Sequence, residues 1–436
     1  MAATYPQVLL QNRKPNRIAT LDEYRHSGGY EALATVLKKH APKEVQQIVL
    51  DANLQGRGGA GFPAGMKWKA VADDYPFPRY IITNIDEMEP GTFKDRIMTH
   101  VDPHMIIEGS ILAGYAVSAA KAFIFVRPSY ENSARILERE IGIAKEAGYL
   151  GKNILGSDFS FELIVHRSGG RYICGEGTAQ INALMGLRPR PQQSPPRSTE
   201  KGVWEKPTVL NNMETLVNVP HIVRNGPDWF KGLAKTKTSS GTKLYCVSGK
   251  VNRPGCYELP MGTRLSEIID EHGGGMLPGS DFKTCLPGGA STSYLQKKDY
   301  DVEMDFDGVK KANNRLGTGA VIVFDQKTCL VAATLNLMDF FVRESCGWCT
   351  PCREGLPFIR DLIWRIEQGE GKEEFIPLLR TMSAHTWKSY CAFAPGATMP
   401  VVSLIERFPE EVHEHISQKR CPYETQREIP DRRMER

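Results

Sequence analysis

Glu344-Ser345-Cys346-Gly347-Trp348-Cys349-Thr350-Pro351-Cys352-Arg353 is the stretch on which this chain's architecture turns. Its cysteines recur as Cys-x-x-Cys-x-x-Cys. One compact turn can aim three such thiolates at a single point, which suits three corners of a cubane iron–sulfur cluster. A fourth thiolate has to come from elsewhere. Cys391, in Ser389-Tyr390-Cys391-Ala392-Phe393-Ala394-Pro395-Gly396, is the candidate, because it follows a helical stretch and precedes a Pro-Gly turn. A helical hairpin between the two segments would return it. Zinc is the rival metal, since Zn²⁺ also takes four cysteines, usually as two Cys-x-x-Cys pairs rather than a triplet plus one. Disulfides are disfavoured where no export signal precedes the chain. Cys174, Cys246, Cys256, Cys285, Cys329 and Cys421 are scattered, and read as buried small hydrophobes or incidental thiols.

Around the cysteine stretch the pattern is helical. Residues 331–343, 356–368, 373–383 and 401–407 carry 3.6-residue periodicity, so residues 329–436 are expected to form a helix bundle around the cluster. Upstream the character changes. Residues 243–247 and 255–259 read as a hairpin, 265–272 as a helix and 320–324 as a further strand, so residues 236–328 are expected to form a small α+β module. Before that, residues 71–235 alternate short buried strands (80–83, 122–126, 161–165) with helices (103–118, 131–147). Such alternation argues for a mainly parallel α/β layer. A Pro- and Arg-rich stretch, 187–196, interrupts it as an extended surface crossing. Residues 1–70 read as a polar arm with helical pieces that ends in a glycine-rich loop.

Composition excludes some functions. Of the 436 residues, 55 are Lys or Arg and 51 are Asp or Glu, a net charge of +4. A nucleic-acid binder usually carries a much stronger basic excess. The most apolar segment, 105–126, is interrupted by Glu108 and Lys121, and the run between them is shorter than the roughly 20 residues that span a bilayer. It reads as a buried helix followed by a strand. With no signal or transit peptide in view, a cytoplasmic protein without membrane insertion is expected.

Several loops suit a nucleotide or flavin. Gly56-Arg57-Gly58-Gly59-Ala60-Gly61-Phe62 fits Gly-x-Gly-x-x-Gly, although a helical segment rather than a strand precedes it. Its glycines let backbone N–H groups approach a phosphate or a flat ring, and Arg57 and Lys67 can neutralise charge; a tight surface turn is the plain alternative. Asn84-Ile85-Asp86-Glu87-Met88-Glu89 sits just past the carboxyl end of a buried strand, where α/β folds place ligands. Cys174-Gly175-Glu176-Gly177-Thr178, after a short strand at 171–173, and Asn211-Asn212-Met213-Glu214-Thr215, opening a helix, are further candidates.

Taken in order, residues 56–63, 84–92, 172–176, 206–215 and 344–353 resemble the motifs of one family, the flavin-bearing, NADH-oxidising subunit of respiratory complex I (the F-subunit of NADH:quinone oxidoreductase). The likeness runs from about Leu21 to about Pro409. It implies a Rossmann-like FMN domain, a ubiquitin-like β-grasp module and a C-terminal helix bundle with a [4Fe–4S] cluster on Cys346, Cys349, Cys352 and Cys391. It further implies that Gly56, Arg57, Gly58, Gly59, Gly61, Lys67, Asn84, Asp86, Glu87, Gly175, Glu176, Asn211, Asn212 and Thr215 surround FMN, and that Phe62 and Glu89 face NADH. Hydride would pass to the flavin and single electrons to the cluster, with no catalytic base. The implied partners are other peripheral-arm subunits, chiefly the thioredoxin-like [2Fe–2S] subunit and the large iron–sulfur subunit, on the cytoplasmic face of the inner membrane. The chain departs from the family's pattern where Gly177 replaces the second glutamate of Gly-Glu-Glu-Thr-Ala, and where Arg197 replaces an aromatic. A carboxylate fewer and a guanidinium more leave NADPH, or a hydrogenase or formate dehydrogenase as the parent complex, as the alternative. A relay subunit with an inactive nucleotide site is a third reading.

Overall fold

Four short runs of β-branched, aromatic and apolar residues, Tyr80–Ile85 (β1), Lys121–Val126 (β2), Glu162–Arg167 (β3) and Thr208–Asn212 (β4), form one parallel sheet in the computed structural model, which describes residues 5–423. The order across it is β3-β2-β1-β4. β2 is buried along nearly its whole length, as a parallel strand covered on both faces must be, whereas β3, at the edge, is partly exposed. β1 pairs with β2 on one side and with β4 on the other. The chain thus reverses its direction of winding at β1, and a crevice opens beyond the carboxyl ends of β1 and β4. Asn84 and Asn212 are register partners at that end.

β4 corrects the expectation that Asn211 opens a helix. Thr208, Val209 and Leu210 are too short a run to reveal a strand by periodicity, but they pair with Tyr80, Ile81 and Ile82. The helix begins at Met213, and the Asn212 side chain caps it by accepting the Glu214 N–H at 3.0 Å. The expected strand at 171–173 is a 3-10 turn, Tyr172–Gly175; the Tyr172 N–H goes to the carboxylate of Glu344 at 3.0 Å, not to a strand.

The second sheet comprises Thr242–Gly249 (β5), Gly255–Pro260 (β6), Phe282–Leu286 (β7) and Ala320–Asp325 (β8), in the order β6-β5-β8-β7. The central pair β5/β8 is parallel and both outer pairs are antiparallel, which is the β-grasp arrangement. Leu265, Ile268 and Ile269, on the helical turn that follows β6, pack into its core. From residue 329 onward the described residues contain helices and no strand: Leu330–Glu344, Gly355–Glu367, Phe375–Thr386, Phe393–Arg407 and Pro409–Gln418. Leu335, Met338, Leu356, Ile359, Val401 and Leu404 fill the space between them. Pro395-Gly396 is not a turn. Both lie in the first turn of helix Phe393–Arg407, where a proline lacks no helical hydrogen bond.

Glu108, which broke the apolar run in the sequence, is wholly buried in helix Pro103–Ala116. A carboxylate there is tolerated only if fully hydrogen-bonded. It accepts from the Tyr24 hydroxyl (2.5 Å) and from the N–H groups of Tyr30 (2.8 Å) and Leu33 (3.0 Å), and so ties the N-terminal arm to the parallel-sheet domain. Among the described residues no helix is long and apolar enough to cross a membrane.

Candidate functional site

A cleft of about 730 Å³ lies beyond the carboxyl ends of β1 and β4, within the range of small-molecule sites. Its walls come from all parts of the chain. The glycine-rich loop supplies Gly58, Gly59 and Gly61; the loop after β1 supplies Asn84, Asp86, Glu87 and Glu89; Asn212 stands between them. Gly175 and Glu176 form the wall beside the parallel sheet, and Glu176 caps helix Gly177–Leu184 by accepting the Ala179 N–H at 2.8 Å. The loop needs its glycines. A Cβ on Gly58 would stand 3.0 Å from Cβ of Asn212, and Gly59, at φ +128°, holds a conformation that L side chains rarely adopt.

The other residues expected around the ligand lie elsewhere, and their contacts say why. The Gly56 N–H closes the loop on the Phe62 carbonyl at 3.0 Å. The Arg57 side chain is buried away from the cleft, its Nη2 donating to the Ser240 carbonyl at 2.7 Å, and its own N–H donates to the Thr215 hydroxyl at 2.9 Å. Lys67 Nζ donates to the Leu210 carbonyl (2.8 Å), and Asn211 Oδ1 accepts from the buried Trp68 indole (3.0 Å). These groups hold the loop from behind. Phe62 is 54 % exposed and lies outside the cleft lining. Arg197, which the sequence suggested for a 2′-phosphate, is likewise exposed and outside it.

Charge in the cleft is mixed and buried. Lys94 Nζ lies 2.5 Å from Asp95 Oδ1 and 3.0 Å from Glu214 Oε2. Burial alone would lower its pKa, but these carboxylates and Glu87 outweigh that and hold the ammonium charged. Asn212 is locked in the same network, donating to Asp95 Oδ2 (2.7 Å) and accepting from Lys94 (3.2 Å). Both oxygens of Asp86 are buried without a well-formed hydrogen bond, and burial pushes its pKa up to about 7 against the opposing pull of the nearby Ser168 hydroxyl and Arg127 guanidinium. An orphaned carboxyl on the wall of an open cleft is what a ligand donor satisfies. Glu89, expected to face NADH, is already engaged by protein, accepting from Tyr172 (2.5 Å) and from the Ser291 N–H (2.6 Å).

The far wall went unread in the sequence. Gly288, Ser291, Phe306, Lys310, Arg315 and Thr318, all of the β-grasp module, line it. The available signal was Gly288-Gly289 together with Gly317-Thr318-Gly319 just before β8, where Gly317 and Gly319 have positive φ.

Next to this cleft, Cys346, Cys349, Cys352 and Cys391 line one small recess, with Pro191, Trp348 and Tyr390. Helix Leu330–Glu344 ends just before the triplet, and Cys349 N-caps the short helix Thr350–Arg353, so the three thiols sit on a tight reversal. Cys391 follows helix Phe375–Thr386 and returns to them as the hairpin requires. Arg188 and Arg353 donate to the carbonyls of Cys346 (3.1 Å) and Gly347 (3.2 Å), placing positive charge beside groups that become thiolates when they bind metal. Four thiols around one recess fit a cubane cluster's donor set. Ile173, Cys391 and Phe393 line both the recess and the cleft.

Comparison with known proteins agrees with this geometry. Residues 49–221 match a family model described as the Nuo51 FMN-binding domain, residues 244–293 an SLBB domain, and residues 332–415 the NADH-ubiquinone oxidoreductase-F iron-sulfur binding region. The NADH-quinone oxidoreductase F-subunit 2 of Rhizobium meliloti (strain 1021) is 44% identical over 420 residues, which cover 96% of this chain and 100% of the relative. The NADH-quinone oxidoreductase F-subunit of Escherichia coli (strain K12) is 46% identical over 401 residues, 91% of this chain and 90% of the relative. Among solved structures, a chain of an NAD⁺-reducing [NiFe]-hydrogenase in the air-oxidized state superposes with a TM-score of 0.81 at 33% identity, over 92% of this chain and 67% of that one. By sequence over nearly its whole length, by domain content and by fold, this chain belongs to the family of NADH-quinone oxidoreductase F-subunits.

Proposed function

We propose that this chain is the electron-input subunit of an NADH:quinone oxidoreductase, with FMN in the cleft and a [4Fe–4S] cluster on Cys346, Cys349, Cys352 and Cys391. The observation that carries it is the shared wall: Ile173, Cys391 and Phe393 separate the cleft from the cysteine recess by one layer of residues. FMN, when bound, supplies two-electron uptake and one-electron release, and the cluster a one-electron acceptor. The chain's residues bind and orient. Gly58, Gly59 and Gly61 present backbone to the ligand, Asn84 and the locked Asn212 shape the cleft at the strand ends, and Asp86 and Lys94 set the charge. No residue is required as an acid–base catalyst. The four-part division at residues 1–70, 71–235, 236–328 and 329–436 then separates arm, flavin domain, β-grasp wall and cluster bundle.

Anaerobic titration with NADH tests this. Flavin absorbance should bleach and the cluster's EPR signal should follow it; bleaching without a cluster signal would remove the relay, and no bleaching would remove the flavin site. We assign as partners the thioredoxin-like [2Fe–2S] subunit and the large iron–sulfur subunit of the peripheral arm, at the cytoplasmic face of the membrane. Trp348 and Tyr390, both well exposed at the rim of the recess, support an exit for electrons there. The identities of 42–46% to NADH-quinone oxidoreductase subunits, against 33% to the hydrogenase chain, favour complex I as the parent.

Two expected results follow from the cleft's electrostatics. Burial raises the pKa of both Asp86 and Glu87 to about 7, so a phosphate-bearing ligand meets up to two more negative charges as pH rises through that value. FMN binding to flavin-free protein should therefore weaken from about pH 6 to about pH 8 and should take up a proton. Asp86→Asn should weaken that dependence and leave the part due to Glu87, as isothermal titration at several pH values would read. The second concerns Gly177, in the first turn of a helix beside Glu176. A Cβ there meets only Leu210 Cδ2, at 3.8 Å, so a side chain can start without backbone movement, at a position just outside the cleft lining. Gly177→Glu should lower the NADPH/NADH ratio of kcat/KM several-fold, about 1 kcal/mol, through repulsion of the 2′-phosphate. An unchanged ratio would mean that position 177 does not read the nucleotide.

A further inference from the structure

Cys329, Glu367, His415 and Cys421 lie far apart in the sequence, and two of them read there as incidental thiols. In the fold all four are buried in the helix bundle, and their donor atoms lie within 4.8 Å of one another. Cys329 precedes helix Leu330–Glu344, Glu367 ends helix Gly355–Glu367, His415 belongs to helix Pro409–Gln418, and Cys421 follows that helix. None of them lines the recess of Cys346, Cys349, Cys352 and Cys391. We propose that these four residues form a second metal centre, a closed structural zinc site.

Four of the six donor–donor distances match a zinc tetrahedron, and the two from Cys421 to His415 and Glu367 are within 4.8 Å. Zn–S bonds of about 2.3 Å and Zn–N or Zn–O bonds of about 2.0–2.2 Å, set at tetrahedral angles, put two sulfurs about 3.8 Å apart, sulfur and N or O about 3.5 Å apart, and N and O about 3.4 Å apart. The observed edges are 3.7 Å for Cys329 Sγ to Cys421 Sγ and 3.3 Å for Cys329 Sγ to His415 Nε2. Cys329 Sγ to Glu367 Oε2 is 3.5 Å, and His415 Nε2 to Glu367 Oε2 is 3.4 Å.

The surroundings are those of a ligand set. His415 Nδ1 sits 2.7 Å from the Glu411 carbonyl, so Nδ1–H donates there and the Nε2 lone pair faces the other three groups. Cys329 N-caps its helix and accepts the Ala332 N–H at 3.3 Å, which fixes the position of its sulfur. Two thiolates, a carboxylate and Zn²⁺ leave one net negative charge. Lys283, paired with Glu411 at 2.6 Å and donating to the Thr328 carbonyl at 2.8 Å, borders the site. Mixed sulfur, nitrogen and oxygen donors in a closed tetrahedron suit zinc, and a site with no open position is structural. It would staple the chain after helix Pro409–Gln418 to the start of helix Leu330–Glu344, whose far end leads into Cys346. This holds whether or not the flavin assignment does.

The test uses the intact protein, expressed with zinc supplied and washed with chelator. About one zinc per chain is expected, with a zinc K-edge absorption spectrum showing two sulfurs near 2.3 Å and two lighter donors near 2.0–2.2 Å. Cys421→Ser and His415→Gln should each lower zinc about fivefold or more while flavin content and the cluster's EPR signal persist. A wild-type protein without zinc would overturn the proposal, as would a Cys329–Cys421 disulfide found by mass spectrometry. So would a six-coordinate shell lacking sulfur, or a four-sulfur shell, which would place the zinc on the other cysteines. The wild-type measurements decide even if the variants fail to fold.

Discussion

Cys391→Ser is expected to cost the protein its cluster while leaving its flavin. Cys391 is the one thiol of the recess that comes from outside the Cys-x-x-Cys-x-x-Cys triplet, and it also stands on the cleft wall. Serine has nearly the same shape, so the wall, and with it FMN retention, should survive. Iron should fall well below about four per flavin, and the cluster's EPR signal should vanish. NADH oxidation with an artificial acceptor that takes electrons from the flavin should stay within about twofold, while delivery to quinone in the assembled complex drops on the order of 100-fold. Changes to groups that only hydrogen-bond to a metal's ligands already cost 10–100-fold, and loss of a ligand belongs at or above the upper end. Cys391→Ala checks that serine has not replaced the thiolate as a ligand. If iron and EPR signal are unchanged in both, the fourth ligand lies elsewhere.

That Cys391 belonged with the triplet was legible because ligand chemistry is local: three cysteines at fixed spacing demand a fourth, and few helical segments downstream offered one. The parallel sheet was legible for a related reason, since β1 and β2 are continuous apolar runs with no helical period. What sequence could not show were the elements that exist only through a partner. β4 is a threonine, two apolar residues and two asparagines until β1 lies beside it. β7 carries Lys283 as its second residue and is held by β8, across an irregular register. Helix Pro409–Gln418, with its charged Glu410 and Glu411, lies beyond the four helical stretches read from the sequence, yet Glu411 accepts the Leu330 N–H and so anchors the bundle.

The site divides along the same line. The loops after β1 and before helix Gly177–Leu184 announced themselves through acidic and glycine residues at the ends of predicted elements. Arg57, Lys67, Asn211 and Thr215 looked equally functional, but their polar atoms are used on backbone and on Trp68, behind the loop. A sequence reports which residue types are present, not which way they point. The opposite wall, with Arg315 donating to Ser291 Oγ at 3.2 Å, comes from a module more than 100 residues downstream of Glu176. The Cys329, Glu367, His415 and Cys421 group escaped for the reason the triplet did not: its ligands share no short spacing.

Gly58→Leu is expected to abolish flavin retention, and the reason is the rigidity of what faces Gly58. A Cβ at this position stands 3.0 Å from Asn212 Cβ, so Asn212 would have to yield. It is poorly placed to do so. Its amide donates to Asp95 and accepts from Lys94 and from the Glu214 N–H, and its backbone ends the strand that pairs with β1. The remaining leucine atoms must then enter the cleft between the glycine loop and the strand ends. Overpacking of this kind costs about 1–3 kcal/mol, or roughly 10–100-fold in flavin affinity, and purified protein should carry less than about a tenth of the wild-type flavin. Gly59→Ala separates sterics from backbone strain. Nothing lies within 3.8 Å of its Cβ, but φ there is +128°, so flavin should be weakened less than at position 58 while thermal stability falls. Flavin content, Kd for added FMN and the Tm of the flavin-free proteins measure all three quantities. A Gly58→Leu protein that folds with wild-type Tm and keeps its flavin would place FMN somewhere other than this cleft.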